Sequence, residues 1–582
     1  MGFGNGLRFR GLWQGIPALL LIIIMVVPIL LAWQRLVDTS ELSFWQSLFN
    51  LDSRRQTKNA VSFSILIGLI SALGTALIGL PLSFMLGRWK WRGHPLLKLL
   101  ATLPFIVPSI VATLGFLELL RNGGIFHTLS GLDLISEKGV ISDVGEILGI
   151  QHLGWLIAIL MAHIWFNIAL FVRLVEPVIS RLDEKVLEQT MVLPAGRSRL
   201  GRIRILWLPL TWAHAASAMV LTFVFCATSF AIILHFGGFE FYTMERAMAE
   251  LGGSAGICAK GASRCYGADA SAVVMALSSI QLLIILSALW LQSFLARKKQ
   301  VPWPISQNKK KQAPKVLWVP MTLLMIFLAA PLISIFVASF KVKGDFSLRA
   351  WSASFEGEMF SHLENSLFYA GMTALIIIPF SILCCEICIL AEKRASRGIN
   401  PRLNRFWSAF NENLALTPLA LSSVMIGLGV LIGIIRISPS LIQEWWIPLI
   451  GHCMVALPFA IKCILQAMRN LQPEHQEIAA TLGLTPFENW LKIRLRLLKS
   501  PIIVASSLVI AISLGEFGAS WVVIRATSHA TLPMFIDSAI SRPFDSLARP
   551  SAMVASTILL TCCAILHLAA ERFRGSSQGS GF

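Results

Sequence analysis

The chain has 582 residues, of which 55% are hydrophobic and only 14% are charged. A soluble protein of this length needs far more charge to cover its surface, so the composition excludes a soluble globular protein and indicates a polytopic membrane protein. The net charge of +18 lies in short polar segments between apolar runs. This distribution is typical of the positive-inside bias of membrane proteins and argues against nucleic acid as a partner.

Apolar runs of about 20 residues recur along the chain, which is the helix length that a hydrocarbon core of about 30 Å requires. The runs do not alternate as barrel strands do, so we predict an all-α polytopic membrane protein. About twelve transmembrane helices are expected, near residues 12–34, 59–87, 98–120, 153–175, 210–236, 271–295, 316–340, 365–391, 411–435, 445–466, 501–524 and 550–570.

The first apolar run, from Ile16 to Trp33, is too long for a signal peptide, and no small-residue cleavage site follows it. We therefore expect an uncleaved first span. Basic residues cluster at 88–98, 297–299, 309–311 and 392–397. Because basic loops stay in the cytoplasm, this pattern places both termini on the cytoplasmic side.

Two groups of cysteines differ in their setting. Cys258 and Cys265 lie in a loop, 237–270, that is predicted to face the oxidising outer side, so we expect a disulfide between them. Cys384, Cys385 and Cys388 have a spacing that suits a metal, but they lie within an apolar helix. We interpret them as small packing groups and predict no metal site.

An internal repeat divides the chain. We predict a first module at 1–295, a basic linker at 296–315 and a second module at 316–582, each module with about six spans. An even number of spans per module makes the repeat a parallel one, with a pathway at the shared interface. The landmarks keep their order: Pro104, Gly115, His163, Arg173, Leu182, Gly196, Leu208 and Phe230 match Pro418, Gly429, His452, Lys462, Leu471, Gly483, Leu495 and Phe517.

The segment 477–495, here called the second coupling loop, is a polar interruption before a membrane span. It resembles the EAA loop of ATP-binding-cassette importer permeases, with Ile478 and Arg496 as departures from the motif. The residues in register are Glu477, Ala479, Ala480, Gly483, Ile493 and Leu495.

Residues 188–209, the first coupling loop, are the counterpart in the first half. They keep Gly196, Leu208 and Pro209 but lack the Glu-Ala-Ala start. Glycine permits a tight turn or a close backbone approach, and we expect Pro209 to begin the helix that re-enters the membrane.

Over its whole length the chain resembles the fused, double-module permeases of binding-protein-dependent importers, in the group of ferric-iron and thiamine permeases. The stretches SLGEFGASW at 513–521 and TLP at 531–533 add to this resemblance. The resemblance implies the MetI-like type I fold, a bacterial inner-membrane location, two copies of a cytoplasmic ATPase and a periplasmic solute-binding protein. The sequence has no GxxxxGK[ST] loop, so ATP and magnesium are expected on the partner and no cofactor or catalytic residue in this chain.

Four residues are candidates for the substrate path. Glu516 lies well inside a predicted span, where an ionisable group is costly and indicates function; the alternative is a carboxylate that fixes helix packing. Ser229 is its repeat mate. His163 and His452 share a repeat position, and a two-fold axis would bring them together as ligands, although an intramembrane histidine is more often a hydrogen-bonded packing residue.

These residues leave the substrate open between ferric iron and thiamine or its phosphates, and the 513–533 stretch favours iron. A secondary transporter is the alternative class, but it needs paired intramembrane charges for ion coupling, and few are present. A membrane enzyme needs a convergent catalytic constellation, and the sequence shows none.

Overall fold

A computed structural model gives the architecture of the chain. It describes residues 16–49, 55–137, 139–238, 241–258, 265, 267–297, 311–471, 481, 483–542 and 544–574.

Helices make up most of the described residues of the first half. Its helices are α1 (Ile16–Leu21), α2 (Val27–Thr39), α3 (Phe44–Phe49), α4 (Arg55–Arg88), α5 (His94–Thr102), α6 (Ser109–Leu120), α7 (Ile125–Ser130), α8 (Val140–Leu148), α9 (Leu153–Ser180), α10 (Glu184–Val192), α11 (Arg199–Arg202), α12 (Leu208–Ala227), α13 (Ala231–Phe236), α14 (Met244–Gly252) and α15 (Ala268–Arg297). π-helical turns at Ile22–Val26 and Ile203–Trp207 join α1 to α2 and α11 to α12. Short 3₁₀ turns lie at Leu103–Phe105 and Pro194–Gly196.

The second half repeats this pattern and adds one small hairpin, β1 (Lys341–Val342) with β2 (Asp345–Phe346). Its helices are α16 (Trp318–Ala338), α17 (Arg349–Glu356), α18 (Met359–Ser396), α19 (Pro401–Leu416), α20 (Ser423–Val430), α21 (Trp446–Arg469), α22 (Pro486–Asn489), α23 (Leu495–Leu497), α24 (Lys499–Leu514), α25 (Gly518–Val523), α26 (Leu532–Ile540) and α27 (Ala548–Arg574). π-helical turns lie at Leu431–Ile435 and Trp490–Arg494, and 3₁₀ turns at Lys315–Leu317, Thr417–Ala420, Pro439–Gln443 and Thr527–His529.

The predicted all-α membrane architecture is confirmed. Among the described residues, eleven helices are long and apolar enough to cross a membrane, and a twelfth span results if Pro401–Ala420 and Ser423–Ile435, which are bent by 96°, count as one. Helices dominate because lipid offers no partner for backbone N–H and C=O groups, which a helix satisfies internally.

Each half contains a packed group of three long helices. In the first half, α9 packs against α4 and α12, and α4 also packs against α12. In the second half, α18, α21 and α24 pack against one another in the same way. Small residues allow the close approach: a β-carbon on Gly79 of α4 would lie 2.8 Å from the Phe171 side chain of α9.

The first long helix of each half packs on the opposite half. Helix α2 contacts α20 and the π-helical turn after it, whereas α16 contacts α6. Glycine makes both contacts possible, because a β-carbon on Gly433 would lie 2.1 Å from the Pro28 carbonyl oxygen and one on Gly115 would lie 2.5 Å from that of Pro331. The Ser334 hydroxyl also donates to the Gly115 carbonyl at 2.6 Å. The two halves are therefore interlocked.

Four predicted continuous spans are broken in the structure. The run 98–120 is interrupted between α5 and α6, where Pro104 and Pro108 stand, and the run 411–435 is interrupted at Thr417–Ala420, which contains Pro418. Proline removes a backbone donor and crowds the preceding turn, which explains these two breaks. The runs 210–236 and 501–524 are broken without proline, between α12 and α13 and between α24 and α25.

Candidate substrate cavity and coupling loops

The two breaks without proline meet at the centre of the molecule. The chain leaves helical geometry at Thr228–Phe230 and again at Gly515–Phe517, and these segments share repeat positions. The Phe230 and Phe517 rings stack on each other with their centroids 5.7 Å apart. Two repeat mates touch in this way only near an axis that relates the halves. Irregular backbone at membrane depth is tolerated where it lines a cavity.

A cavity of about 270 Å³ lies beside this stacked pair and is walled by both halves. Six phenylalanines supply most of the aromatic surface: Phe105, Phe166, Phe225, Phe230, Phe459 and Phe517. The polar lining consists of neutral groups such as Ser109, His163, Asn167 and Ser229. Among the described residues that line it, none is a carboxylate, a lysine or an arginine. The cavity therefore suits an organic molecule with an aromatic or cationic face.

His163 lies in the cavity wall, as expected for a path residue, and is 1% exposed. Its Nδ1 is 3.0 Å from the Ser71 hydroxyl oxygen. One turn further along α9, the Asn167 amide donates to the His163 carbonyl at 2.8 Å and to the Cys226 sulfur at 3.3 Å. The sequence analysis did not single out Asn167, because an isolated asparagine in a span has no motif to identify it.

His452 has a different environment from its repeat mate. Its Nδ1 is 2.8 Å from the Ser513 hydroxyl and its Nε2 is 3.2 Å from that of Ser520, while the Tyr369 ring stacks on it at 5.3 Å. It is not among the residues that line the cavity. The expected pairing of the two histidines around one ligand is therefore not seen.

Glu516 serves as the N-terminal cap of α25. Its carboxylate accepts hydrogen bonds from the Ala519 amide at 2.7 Å and the Ser520 amide at 3.1 Å, and it also accepts the Ser520 hydroxyl. The side chain is buried and does not line the cavity. This geometry favours a carboxylate that fixes helix packing over a residue of the substrate path. The negative charge interacts with free N–H groups at the start of a helix. Ser229, its repeat mate, does line the cavity.

A second cavity of about 290 Å³ lies towards the end of the bundle that the charge pattern places in the cytoplasm. Phe105 lines both cavities, and the Arg173 guanidinium lies 4.9 Å from the centre of its ring. Arg173 and Lys462, which share a repeat position, both line this second cavity. The sequence analysis used these two cations only as landmarks. Only the folded structure shows that the two cations line the same cavity.

The second coupling loop forms a short helical element before α24. Glu477, Ala479 and Ala480 lie outside the described residues. Gly483 has φ +74°, the left-handed region that favours glycine, as the sequence predicts for a tight turn. Ile493 and Leu495 are half-buried.

Glu386 of α18 anchors this element to the bundle. Its carboxylate accepts hydrogen bonds from the Arg494 guanidinium at 2.7 Å and the Trp490 indole at 3.1 Å. An anchor at the base leaves the apolar side chains at the tip free to meet a partner, and Phe487 there is 69% exposed.

The first coupling loop, like the described part of the second, contains a short helix followed by a π-helical turn. Gly196 is required by a close approach rather than by a turn, because a β-carbon on it would lie 1.8 Å from the Thr190 carbonyl oxygen. Leu200 at its tip is 79% exposed, and Leu208 is exposed as well. Both loops thus carry exposed apolar side chains.

Pro209 stands in the first turn of α12, which begins at Leu208 directly after a π-helical turn. Helical geometry runs without interruption from Arg199 to Ala227, and Pro209 follows a π-helical turn at Ile203–Trp207. The second half has the same turn at the equivalent Trp490–Arg494, where Arg496 replaces the proline. The wide turn is therefore a property of both loops and does not depend on proline.

Cys258 and Cys265 form a disulfide in the structure. Cys384, Cys385 and Cys388 are buried free thiols on α18. Across the part of the chain that the structure describes, no group of three or more His, Cys, Asp or Glu side chains is arranged to hold a metal ion.

Comparison with known proteins adds to this geometry. Residues 388–574 match the family described as the binding-protein-dependent transport system inner membrane component. The thiamine transport system permease protein ThiP of Haemophilus influenzae is 22% identical over 538 residues, which cover 92% of this chain and 91% of that protein. ThiP of Escherichia coli K12 is 21% identical over 569 residues, with 96% of each chain covered. ThiP of Brucella suis is 23% identical over 532 residues, which cover 89% and 88%.

Proposed function

Because the chain is a fused, two-module inner-membrane permease of an ATP-binding-cassette importer, we propose that its substrate is thiamine. A periplasmic binding protein delivers the thiamine, and the permease passes it to the cytoplasm. The relatives that cover most of the chain are thiamine permeases by name. This proposal replaces the ferric iron that the 513–533 stretch favoured.

The chemistry of the central cavity carries the proposal. Thiamine is an organic cation with two aromatic rings, and phenylalanine faces attract such a cation through their ring quadrupoles. The six phenylalanines of the cavity supply these faces. Ferric iron is a hard cation that prefers carboxylate and other oxygen anions, and the described lining offers only neutral hydroxyl, amide and imidazole groups.

The coupling loops support an external source of energy. Exposed apolar side chains in the two loops, such as Leu200 and Phe487, suit a groove on a partner protein. Two loops at repeat-related positions accommodate two copies of a cytoplasmic ATPase, which binds ATP and magnesium. This chain then acts as a non-catalytic transport subunit. Both of its termini and the basic linker at 296–315 lie in the cytoplasm.

The test is uptake by proteoliposomes that contain the permease with its ATPase subunits. Radiolabelled thiamine should accumulate when the binding protein is outside and ATP is inside. It should not accumulate with a non-hydrolysable ATP analogue, and dissipating ion gradients should have no effect. Labelled ferric iron should not enter. Accumulation of iron without thiamine would overturn the proposal, and uptake driven by an ion gradient in the absence of ATP would indicate a secondary transporter.

A matched pair of variants links transport to the cavity. Phe517→Leu removes a ring that lines the cavity, whereas Phe487→Leu removes an exposed ring outside the spans. The first should raise the thiamine concentration needed for half-maximal ATPase stimulation by about tenfold, since a desolvated cation–π contact is worth about 1–2 kcal/mol. The second should leave that concentration unchanged. Equal effects of both variants would show that the aromatic lining of the cavity does not set the thiamine concentration required, and would contradict this part of the proposal.

A further inference from the structure

Two buried polar atoms in the wall of the central cavity have no hydrogen-bond partner among the described residues. They are Nε2 of His163 and Oδ1 of Asn167. The other polar atoms of these side chains are engaged, with Ser71, Cys226 and the His163 carbonyl. Both residues are at most 2% exposed. Such atoms are rare in folded proteins and require an explanation, of which a ligand is one.

The two atoms lie on the same face of one helix. Residues four apart in an α-helix are neighbours on its surface, and both side chains line the cavity. The Asn167 amide nitrogen donates to the His163 carbonyl and to the Cys226 sulfur, so the amide oxygen is the group that remains to accept a hydrogen bond. A neutral imidazole has one donor and one acceptor nitrogen.

In the second half, the equivalent histidine nitrogen has a hydrogen-bond partner. There Nε2 of His452 is satisfied by the Ser520 hydroxyl at 3.2 Å. At the spacing that separates Phe230 from Phe517, the residue equivalent to Ser520 is Ile233, which has no hydroxyl. The second half therefore satisfies its histidine internally, whereas in the first half the same atom, on a residue of the cavity wall, has no partner among the described residues.

We propose that His163 and Asn167 are specificity-determining residues that bind the edge of the 4-aminopyrimidine ring of the substrate. This inference rests on thiamine being the substrate. In the proposed arrangement the Ser71 hydroxyl, 3.0 Å from Nδ1 of His163, donates to that nitrogen, so that Nε2 carries the proton and donates to the ring nitrogen. Oδ1 of Asn167 accepts a hydrogen bond from the exocyclic amine. The donor of His163 thus meets the acceptor nitrogen of the ring, and the acceptor of Asn167 meets the donor amine.

Oxythiamine, in which an oxo group replaces the exocyclic amine, offers a direct comparison. Its edge presents an acceptor where thiamine presents a donor, and a ring N–H where thiamine presents an acceptor. A site built to hydrogen-bond a substrate rejects an analogue that leaves its buried groups unpaired. The thiazolium ring is the same in both molecules, so the phenylalanine surfaces do not distinguish them.

The experiment uses the complete transporter in proteoliposomes, supplied with binding protein saturated with thiamine or with oxythiamine. Saturation removes the selectivity of the binding protein, and the ratio of the two uptake rates cancels differences in the amount of folded transporter. The parental ratio should favour thiamine by at least about tenfold. Asn167→Leu and His163→Phe should each lower that ratio by about tenfold, the effect of one lost hydrogen bond.

Conservative and distant variants complete the design. His163→Gln places an amide N–H near the position of Nε2 and should keep most of the preference, as should Asn167→Asp, which retains the acceptor. His452→Gln alters the repeat mate outside the cavity and should leave the ratio unchanged. If Asn167→Leu does not reconstitute, the His163→Phe and His163→Gln pair carries the test.

The outcomes separate the two proposals. A parental transporter that takes up no thiamine would overturn the proposed function and the ring-edge contact together. Thiamine uptake with a ratio that Asn167→Leu and His163→Phe both leave at the parental value would overturn the contact alone. A ratio that falls equally in His452→Gln would also overturn it, because the effect would then not be local to the first half.

Discussion

The Glu516 carboxylate is held by the backbone amides of Ala519 and Ser520, which are otherwise free N–H groups at the start of α25. A side chain that only caps a helix needs an acceptor oxygen and not a negative charge. One that binds a cationic substrate needs the charge. A conservative variant that keeps an acceptor oxygen but removes the charge therefore distinguishes the two roles.

We predict that Glu516→Gln transports thiamine at close to the parental rate, whereas Glu516→Ala loses about 1 kcal/mol of stability, the typical value of an N-cap. Thermal unfolding of the detergent-purified transporter and uptake per folded molecule are the two measurements. Glu516→Gln with normal stability and no uptake would show that transport needs the charge of this carboxylate, as expected for a residue of the substrate path.

Gly196 and Gly483 hold equivalent positions in the two coupling loops for different physical reasons. At Gly483 the backbone is left-handed, but no atom of the described residues lies within 4 Å of an added β-carbon. At Gly196 the added atom would overlap the Thr190 carbonyl oxygen. Strain in a left-handed residue costs roughly 1–2 kcal/mol, whereas the overlap forces the turn to open.

Gly483→Ala should therefore insert normally and keep its ATPase, while Gly196→Ala should lower the amount of folded permease and release ATPase from the first loop. Immunoblots of membranes and co-purification of the ATPase measure the two effects. A Gly196→Ala protein that is as abundant and as well coupled as Gly483→Ala would contradict the geometry.

At the scale of an element, the short helix of the second coupling loop has a reciprocal cap. The Thr485 hydroxyl accepts from the Glu488 amide at 3.2 Å, and the Glu488 carboxylate accepts from the Thr485 amide at 3.1 Å. Hydrogen bonds from Lys492 and Thr485 lower the pKa of Glu488 to about 2. This contribution is complete above the ordinary pKa of the group and is lost only as the pH falls towards 2, so the cap is intact at any cytoplasmic pH.

We expect Thr485→Ala to weaken ATPase association about three- to tenfold, because the start of the helix frays without its cap. Thr485→Ser keeps the hydroxyl and is the control. Pull-down of the ATPase at graded salt measures the change. Equal retention by both variants would show that the ATPase does not depend on the order of this helix.

The elements differ in how far the sequence predicts them. The long apolar runs predict nearly every span, because the hydrocarbon core demands them. The breaks at Thr228–Phe230 and Gly515–Phe517 escape such reasoning, since neither contains proline and an apolar run continues on both sides of each. The positions of Asn167, Arg173 and Lys462 in cavity walls could not be predicted for another reason: they depend on what faces these residues across the bundle, and no spacing along the chain records that.

At the scale of the whole molecule, the interlocked first helices make the two halves depend on each other. Helix α2 rests on Gly433 of the second half, and α16 rests on Gly115 of the first. A half expressed alone exposes the surface that its partner's helix normally covers. It also leaves its own first helix without the surface on which that helix packs.

We therefore predict that residues 1–300 and 301–582 do not accumulate when expressed singly but assemble and transport thiamine when co-expressed. Affinity tags on both fragments and uptake in cells that lack the full chain provide the measurements. Gly115→Leu in the first fragment should prevent assembly, and Gly371→Leu, where no atom lies within 4 Å of an added β-carbon, is the matched control. A single fragment that is abundant and stable would contradict the interlocked arrangement.

The interlocked helices also impose an order on synthesis in the membrane. The surface that receives α16 is already in the bilayer when that helix emerges, whereas the surface that receives α2 is translated about 380 residues after it. At roughly 5–20 residues per second, α2 waits roughly 20–80 s for its partner. During that interval the first helix must persist in lipid on its own or be held by the insertion machinery. The surface on which α16 packs is therefore ready before that helix is made, whereas α2 gains its surface only when about three quarters of the chain has been translated.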